Sequence, residues 1–205
     1  MNPVLIYYYI YAISGLLPFG IYFINHKHNL NVSTQRIRFF LLIFVSVRIL
    51  TDLMSIVLAE AIKNSFPAIH FSILLCYFVV LKILNEIEEI KFLWLFNLLG
   101  LILFILDLTV TSTIMQSCLL SSLTTFAVII GLSIKSLQKI EITEVQEKVI
   151  GSIFLFYLIA FAYYLNQELM SESKKIMFLG FIFFISVNII FNLYLSKIQW
   201  LLKKN

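Results

Sequence analysis

Seven membrane-length apolar stretches, a hydrophobic surplus no soluble core could absorb, and an alternating distribution of Lys and Arg predict an all-α integral membrane protein. The expected architecture is a seven-transmembrane-helix bundle formed by a single domain, residues 1–205. Hydrophobic residues make up 61% of the chain and charged residues 13%, with a mean hydropathy of +0.98. Soluble domains sit nearer half apolar and a quarter charged, so the excess needs hydrocarbon as its solvent. Phe and Tyr number 20 and 10, whereas Gly and Pro number only 6 and 3. That balance argues against the glycine-rich, tightly packed helix interfaces common in transporters. The Ile, Phe, Lys and Asn bias points to an AT-rich bacterial genome, and hence to a bacterial inner (cytoplasmic) membrane.

The stretches are approximately 4–24, 39–59, 66–84, 92–108, 112–134, 149–165 and 176–196. Each is close to the ~20 residues a spanning helix requires. The first lacks a basic leader and a small-residue cleavage site, so it reads as a retained helix rather than a signal peptide. The fourth and sixth are near the lower limit and should stand almost upright. The connections 25–38 and 135–148 are loop-sized, and the latter reads as a helical extension beyond the membrane. No inverted internal repeat of the transporter kind is present.

Lys and Arg fix the expected orientation. Eleven lie on one side: Lys27, Arg36, Arg38, Lys82, Lys91, Lys135, Lys139, Lys148, Lys197, Lys203 and Lys204. The other side has Lys63, Lys174 and Lys175, and Arg48 falls inside a helix. The N-terminus is therefore expected outside and the C-terminus in the cytoplasm. Tyr7, Tyr8 and Tyr9 fall at the outer end of helix 1. Trp94 and Trp200 fall at inner ends, where amphipathic rings favour the headgroup level.

Helix 2 carries Arg48 and Asp52 at a spacing of four, which puts them on one face where they can pair. A charge at the bilayer centre costs roughly 2.5–3.5 kcal/mol on insertion scales and normally faces the bundle interior. Ser55 continues the stripe, with Thr51 beside it. Helix 7 offers a complementary stripe of Asn188, Asn192 and Ser196, with Asn188 at the depth of Arg48. These residues predict an Arg48–Asp52–Asn188 polar knot between helices 2 and 7. One reading is a self-neutralising structural pin; the other is a proton, ion or ligand site.

His70, one turn inside the outer end of helix 3, is a hydrogen-bonded structural residue or an outer-side sensor of pH. His70 and Cys76, six residues apart, point to opposite helix faces, which disfavours a thiol peptidase. Cys76 and Cys118 lie in apolar runs without a CxxC pair, so neither a disulfide nor a zinc site is expected. Ser117, Ser121 and Thr125, with Gln116 adjacent, form a hydroxyl face on helix 5. It reads as a helix-packing seam or, in an oligomer, as a pore lining. Asp107, Glu168 and Glu172 at outer ends are expected to be solvated. So are the Glu86, Glu88, Glu89 group and the His26-Lys27-His28 loop. Helix 7 has no central lysine for a retinal Schiff base, and no P-loop, dinucleotide turn, HExxH site or nucleic-acid-binding module occurs. No catalytic, cofactor-binding or metal-binding residue is assigned.

The run NIIFNLYLSKIQWLLKK, Asn188 to Lys204, has paired Asn residues and closes on Trp and Lys. It resembles the last helix of a family of small uncharacterised seven-helix proteins of the Bacteroidota, often encoded beside sensor histidine kinases. LLPFGIYFINHK after an N-terminal apolar run and the His70-led third helix are similar too. The chain departs from that pattern after His70, where Ser72, Ile73 and Leu74 replace an expected acidic residue. The resemblance implies a fold and a setting, and no activity.

These readings favour a non-enzymatic sensory or accessory subunit that acts through a protein partner, such as a sensor kinase. An alternative is a channel-forming or membrane-disrupting protein of a prokaryotic antiviral system such as type VI-B CRISPR, with a defence effector as partner and a homo-oligomeric pore. A small-molecule transporter or membrane enzyme ranks last. The lipid bilayer is a partner in every case, and direct nucleic-acid binding is not expected.

Overall fold

A computed structural model describes residues 3–24, 32–62, 64, 66–111, 119–139, 142–166 and 174–201. All regular structure among the described residues is helical. The elements are α1 (Pro3–Ile24), α2 (Val32–Ala61), α3 (Phe66–Ile87), α4 (Leu93–Leu106), a π-helical turn (Asp107–Thr111), α5 (Leu119–Leu137), α6 (Glu144–Leu165) and α7 (Lys174–Leu201). Among the described residues five segments are long and apolar enough to cross a membrane: Pro67–Ile87, Leu93–Val110, Leu119–Leu137, Glu144–Leu165 and Phe178–Leu201. Helices are what such sequences must form, because hydrocarbon offers no partner to an open backbone N–H or C=O.

Several boundaries differ from expectation, each for a local reason. α2 begins at Val32 rather than near 39, so Arg36 and Arg38 are helical rather than loop residues. α6 begins at Glu144 rather than 149 because Thr143 caps it. The Thr143 hydroxyl accepts from the Gln146 N–H while the Gln146 side chain accepts from the Thr143 N–H. That reciprocal box satisfies two donors that would otherwise be orphaned at the helix start. α4 does not simply end but runs on into the π-helical turn at Asp107.

The helices close a ring. α1 packs on α2, α2 on α3, α3 on α5, α5 on α6, α6 on α7, and α7 returns to α1. The ring is filled by large side chains, among them Phe44, Tyr77, Ile129, Ile153 and Leu195, all buried. α4 lies outside against α3 and α5, burying only Gly100 and Phe104. Its attachment depends on glycine. A Cβ at Gly100 would stand 2.4 Å from the Tyr77 ring, whose hydroxyl donates to the Phe96 carbonyl at 2.9 Å.

One end of the ring is tied by charges. Arg36 pairs with Glu86 at 3.6 Å and Lys135 with Glu88 at 3.3 Å, joining α2, α3 and α5. Glu86 and Glu88 are therefore not the freely solvated pair expected; their side chains are only 19% and 17% exposed. Glu89 is exposed. The short turn leaving this end places Phe92 at φ 60°, the left-handed region, with the Ile90 N–H donating to Asn85 Oδ1 at 3.0 Å.

Candidate functional site

Arg48 projects from α2 into the ring and is buried. Its Nη1 donates to Asn192 Oδ1 at 3.2 Å, and its Nη2 donates to Tyr11 Oη at 3.1 Å and to Asn188 Oδ1. The two amides are fixed from behind. Asn188 Nδ2 donates to the Phe184 carbonyl one turn back at 2.7 Å, and Asn192 Nδ2 donates to Ser14 Oγ at 3.0 Å. Ser14 Oγ in turn donates to the Tyr11 carbonyl at 2.7 Å. Both amide oxygens are thereby aimed at the guanidinium by acceptors that hold their nitrogens away from it.

The faces of the guanidinium meet aromatic rings. The Phe156, Phe191, Phe44 and Tyr11 centroids lie 5.0, 5.4, 5.6 and 5.8 Å from its central carbon. Phe156 and Phe191 also stack on each other at 4.3 Å. Negative ring faces and neutral oxygens together replace the hydration shell of the cation.

Asp52 stands differently from expectation. The ion pairs among the described residues are Arg36–Glu86, Lys135–Glu88 and Lys148–Glu144, and no Arg48–Asp52 pair joins them. Asp52 instead borders a small cavity together with Tyr11 and Arg48. The knot is thus Arg48 with Asn188, Asn192 and Tyr11, and Asp52 stands beside it. Ser55 takes no part: its hydroxyl donates to its own helix at the Thr51 carbonyl, 2.8 Å. Thr51 Oγ1 approaches Ser72 Oγ on α3 at 2.9 Å.

A cavity of about 10 Å³, measured as the volume open to the centre of a water molecule, lies among Tyr11, Gly15, Val45, Arg48, Asp52 and Asn192. Such a space holds about one water, far below the ~300 Å³ of a small-molecule site. Gly15 leaves this room beside Ile49, whose Cγ1 would be 3.1 Å from an added Cβ.

A second arginine repeats the pattern toward the charged end. Arg38 is buried, its Nε donates to Gln199 Oε1 at 3.3 Å, and Gln199 Nε2 donates to the Arg38 carbonyl at 3.3 Å. The Tyr22 ring lies 5.3 Å from its central carbon. Sequence reasoning missed Tyr11, Ser14, Arg38 and Gln199. The signal that could have found Gln199 is its position seven residues after Asn192, on the same face as Asn188, Asn192 and Ser196.

The other expected residues fall elsewhere. His70 is fully buried within the bundle. Ser121 and Thr125 are buried against neighbours within the same chain, not on an outward seam. Asp107, expected in solvent, is 1% exposed, and its Oδ2 accepts from the Ser121 N–H at 2.9 Å and hydroxyl at 2.7 Å. The π-helical turn swings this carboxylate onto the first turn of α5, where free backbone donors and the helix dipole favour an anion. Cys76 is buried with its thiol free. Ser117, Gln116, Cys118, Glu168, Glu172 and the His26-Lys27-His28 loop lie outside the described residues, as do the side chains of Tyr7 and Tyr8.

Among the described residues no group of three His, Cys, Asp or Glu side chains is arranged to hold a metal ion. Comparison with protein-family models, with curated proteins and with solved structures gave no match in any of the three.

Proposed function

We propose that this chain is a seven-span protein of the bacterial inner membrane, N-terminus outside and C-terminus cytoplasmic, acting as a sensory or accessory subunit through a protein partner. Support for the orientation comes from the charge asymmetry, with Arg36, Lys135, Lys139 and Lys148 at one end of the ring. The observation that carries the functional reading is the filled axis. Arg48 and its aromatic cage occupy the middle of the ring, and the adjoining space admits about one water. A protein whose interior passes no solute acts through its surface, and α4 is the element least committed to the core. Trp94, Leu98, Ile102 and Ile105 on α4 are all exposed.

The test is reconstitution of the purified protein in liposomes with photo-reactive side chains at Leu98 and Ile105. The reading expects ion flux no greater than in empty vesicles, and cross-links to a discrete protein in cells. Conductance by the protein alone would transfer the case to the channel reading. Cross-links to lipid only would remove the partner.

A further inference from the structure

The geometry points to a binding site for a phosphate group, supplied by an anionic lipid, at Arg38 between α1, α2 and α7. Arg38 is 4% exposed, no carboxylate pairs with it among the described residues, and its buried Nη2 has no hydrogen-bond partner. Arg48 satisfies its charge with three oxygens; Arg38 has the Gln199 oxygen and the Tyr22 ring. A buried cation left short of acceptors is a costly arrangement that calls for an anion.

Orientation of the side chain favours phosphate. Gln199 engages Nε and orients the guanidinium, which leaves Nη2 buried without a partner on an Nη1–Nη2 edge that meets no carboxylate among the described residues. That edge is the one that takes two oxygens of a phosphate in parallel, a match a lysine cannot provide.

Depth favours a lipid as the source. Arg38 and Arg48 are ten residues apart on α2, about 15 Å along its axis. With Arg48 at mid-membrane, Arg38 stands about one half-thickness of the hydrocarbon core away, at the level of lipid phosphates. Trp200, next to Gln199 and 46% exposed, lies at the depth where indole rings settle. The inference needs only that the bundle spans a bilayer; it does not depend on the sensory role.

The experiment uses the full chain, purified in neutral detergent. Thermal unfolding is followed with phosphatidylglycerol, with phosphatidylcholine and with inorganic phosphate, for wild type and for Arg38→Gln, Arg38→Lys and Arg36→Gln. Phosphatidylglycerol at a hundredfold excess over its Kd should raise the wild-type midpoint by about 5–10 °C, and phosphatidylcholine should not. Arg38→Gln should abolish the rise, Arg38→Lys should keep a reduced one, and Arg36→Gln should keep it whole. A rise with inorganic phosphate alone would retain the phosphate site and assign it to a soluble ligand. Equal effects of the two lipids on wild type overturn the site. So does an undiminished rise in Arg38→Gln. Should Arg38→Gln not fold, native mass spectrometry of wild type and Arg38→Lys decides. One retained phosphatidylglycerol, lost more readily from Arg38→Lys, supports the site, and indiscriminate retention overturns it.

Discussion

Arg48 is held by neutral oxygens rather than by a carboxylate. Each of its partners is on a different helix from its own, so removing one end leaves the other unpaired inside the bundle. Arg48→Met should therefore cost about 1–3 kcal/mol, as should Asn188→Leu. In a double-mutant cycle followed by thermal unfolding, the two should show a coupling of about 0.6–2 kcal/mol. Additive losses would mean the contact carries no energy. Tyr11 borders both Arg48 and Asp52 around the small cavity. Tyr11→Phe should cost about 1 kcal/mol and should also weaken the coupling between Arg48→Met and Asp52→Asn. An unchanged coupling in the Tyr11→Phe background would show that the two charges interact without the phenol.

Among the elements, α4 and α5 are placed by small, local devices. Gly100→Ala puts a methyl group 2.4 Å from the Tyr77 ring, which must swing away and release the Phe96 carbonyl. A penalty of about 1–3 kcal/mol follows, and proteolysis should reach the turn before α4 sooner than in wild type. Tyr77→Ala in the same background should restore the docking partly by vacating the space. The start of α5 is served by Asp107 from the neighbouring turn. Asp107→Ala should cost about 0.5–2 kcal/mol, and Asp107→Asn, which keeps an acceptor, should cost less. Equal losses from both substitutions would assign the effect to charge rather than to capping.

For the whole molecule, the ring of six helices with α4 outside it gives two ends of different character. Arg36, Lys135 and Lys139 crowd one end, which the proposed orientation would put in the cytoplasm. In a cysteine-free background, a cysteine at Lys139 should resist an impermeant thiol reagent in intact cells, while one at Asn166 should react. The opposite labelling pattern reverses the orientation. At the same scale, the packed interior should pass no ions in liposomes. Substituting Phe156 and Phe191 together by Ala should open the space beside Arg48 and lower stability by several kcal/mol, without which the cage has no structural role.

How much of this was legible beforehand depends on the range of the interaction. Apolar length located the helices seen among the described residues, five of which are long and apolar enough to span, because a span must satisfy its own backbone and be apolar over its whole length. Their ends were less legible, since α2 carries Arg36 and Arg38 on turns that composition reads as loop. The Asn188 and Asn192 stripe and its match in depth to Arg48 could be read from spacing along two helices. Whether Asp52 would meet Arg48 could not be, since a spacing of four allows contact without directing either side chain. Tyr11 could intervene only once α1 lay against α2 and α7. Asp107 shows the same division: its sequence places it at a helix end, but a π-helical turn carries it inward onto α5. The sequence by itself determined an all-helical chain of membrane-spanning composition, with an arginine inside one of its apolar stretches. Only the tertiary structure decided which neutral groups surround that arginine and which second arginine meets no carboxylate among the described residues. The reason is physical: spanning is a property of each segment alone, whereas the cost of a buried charge is set by side chains that other segments bring to it.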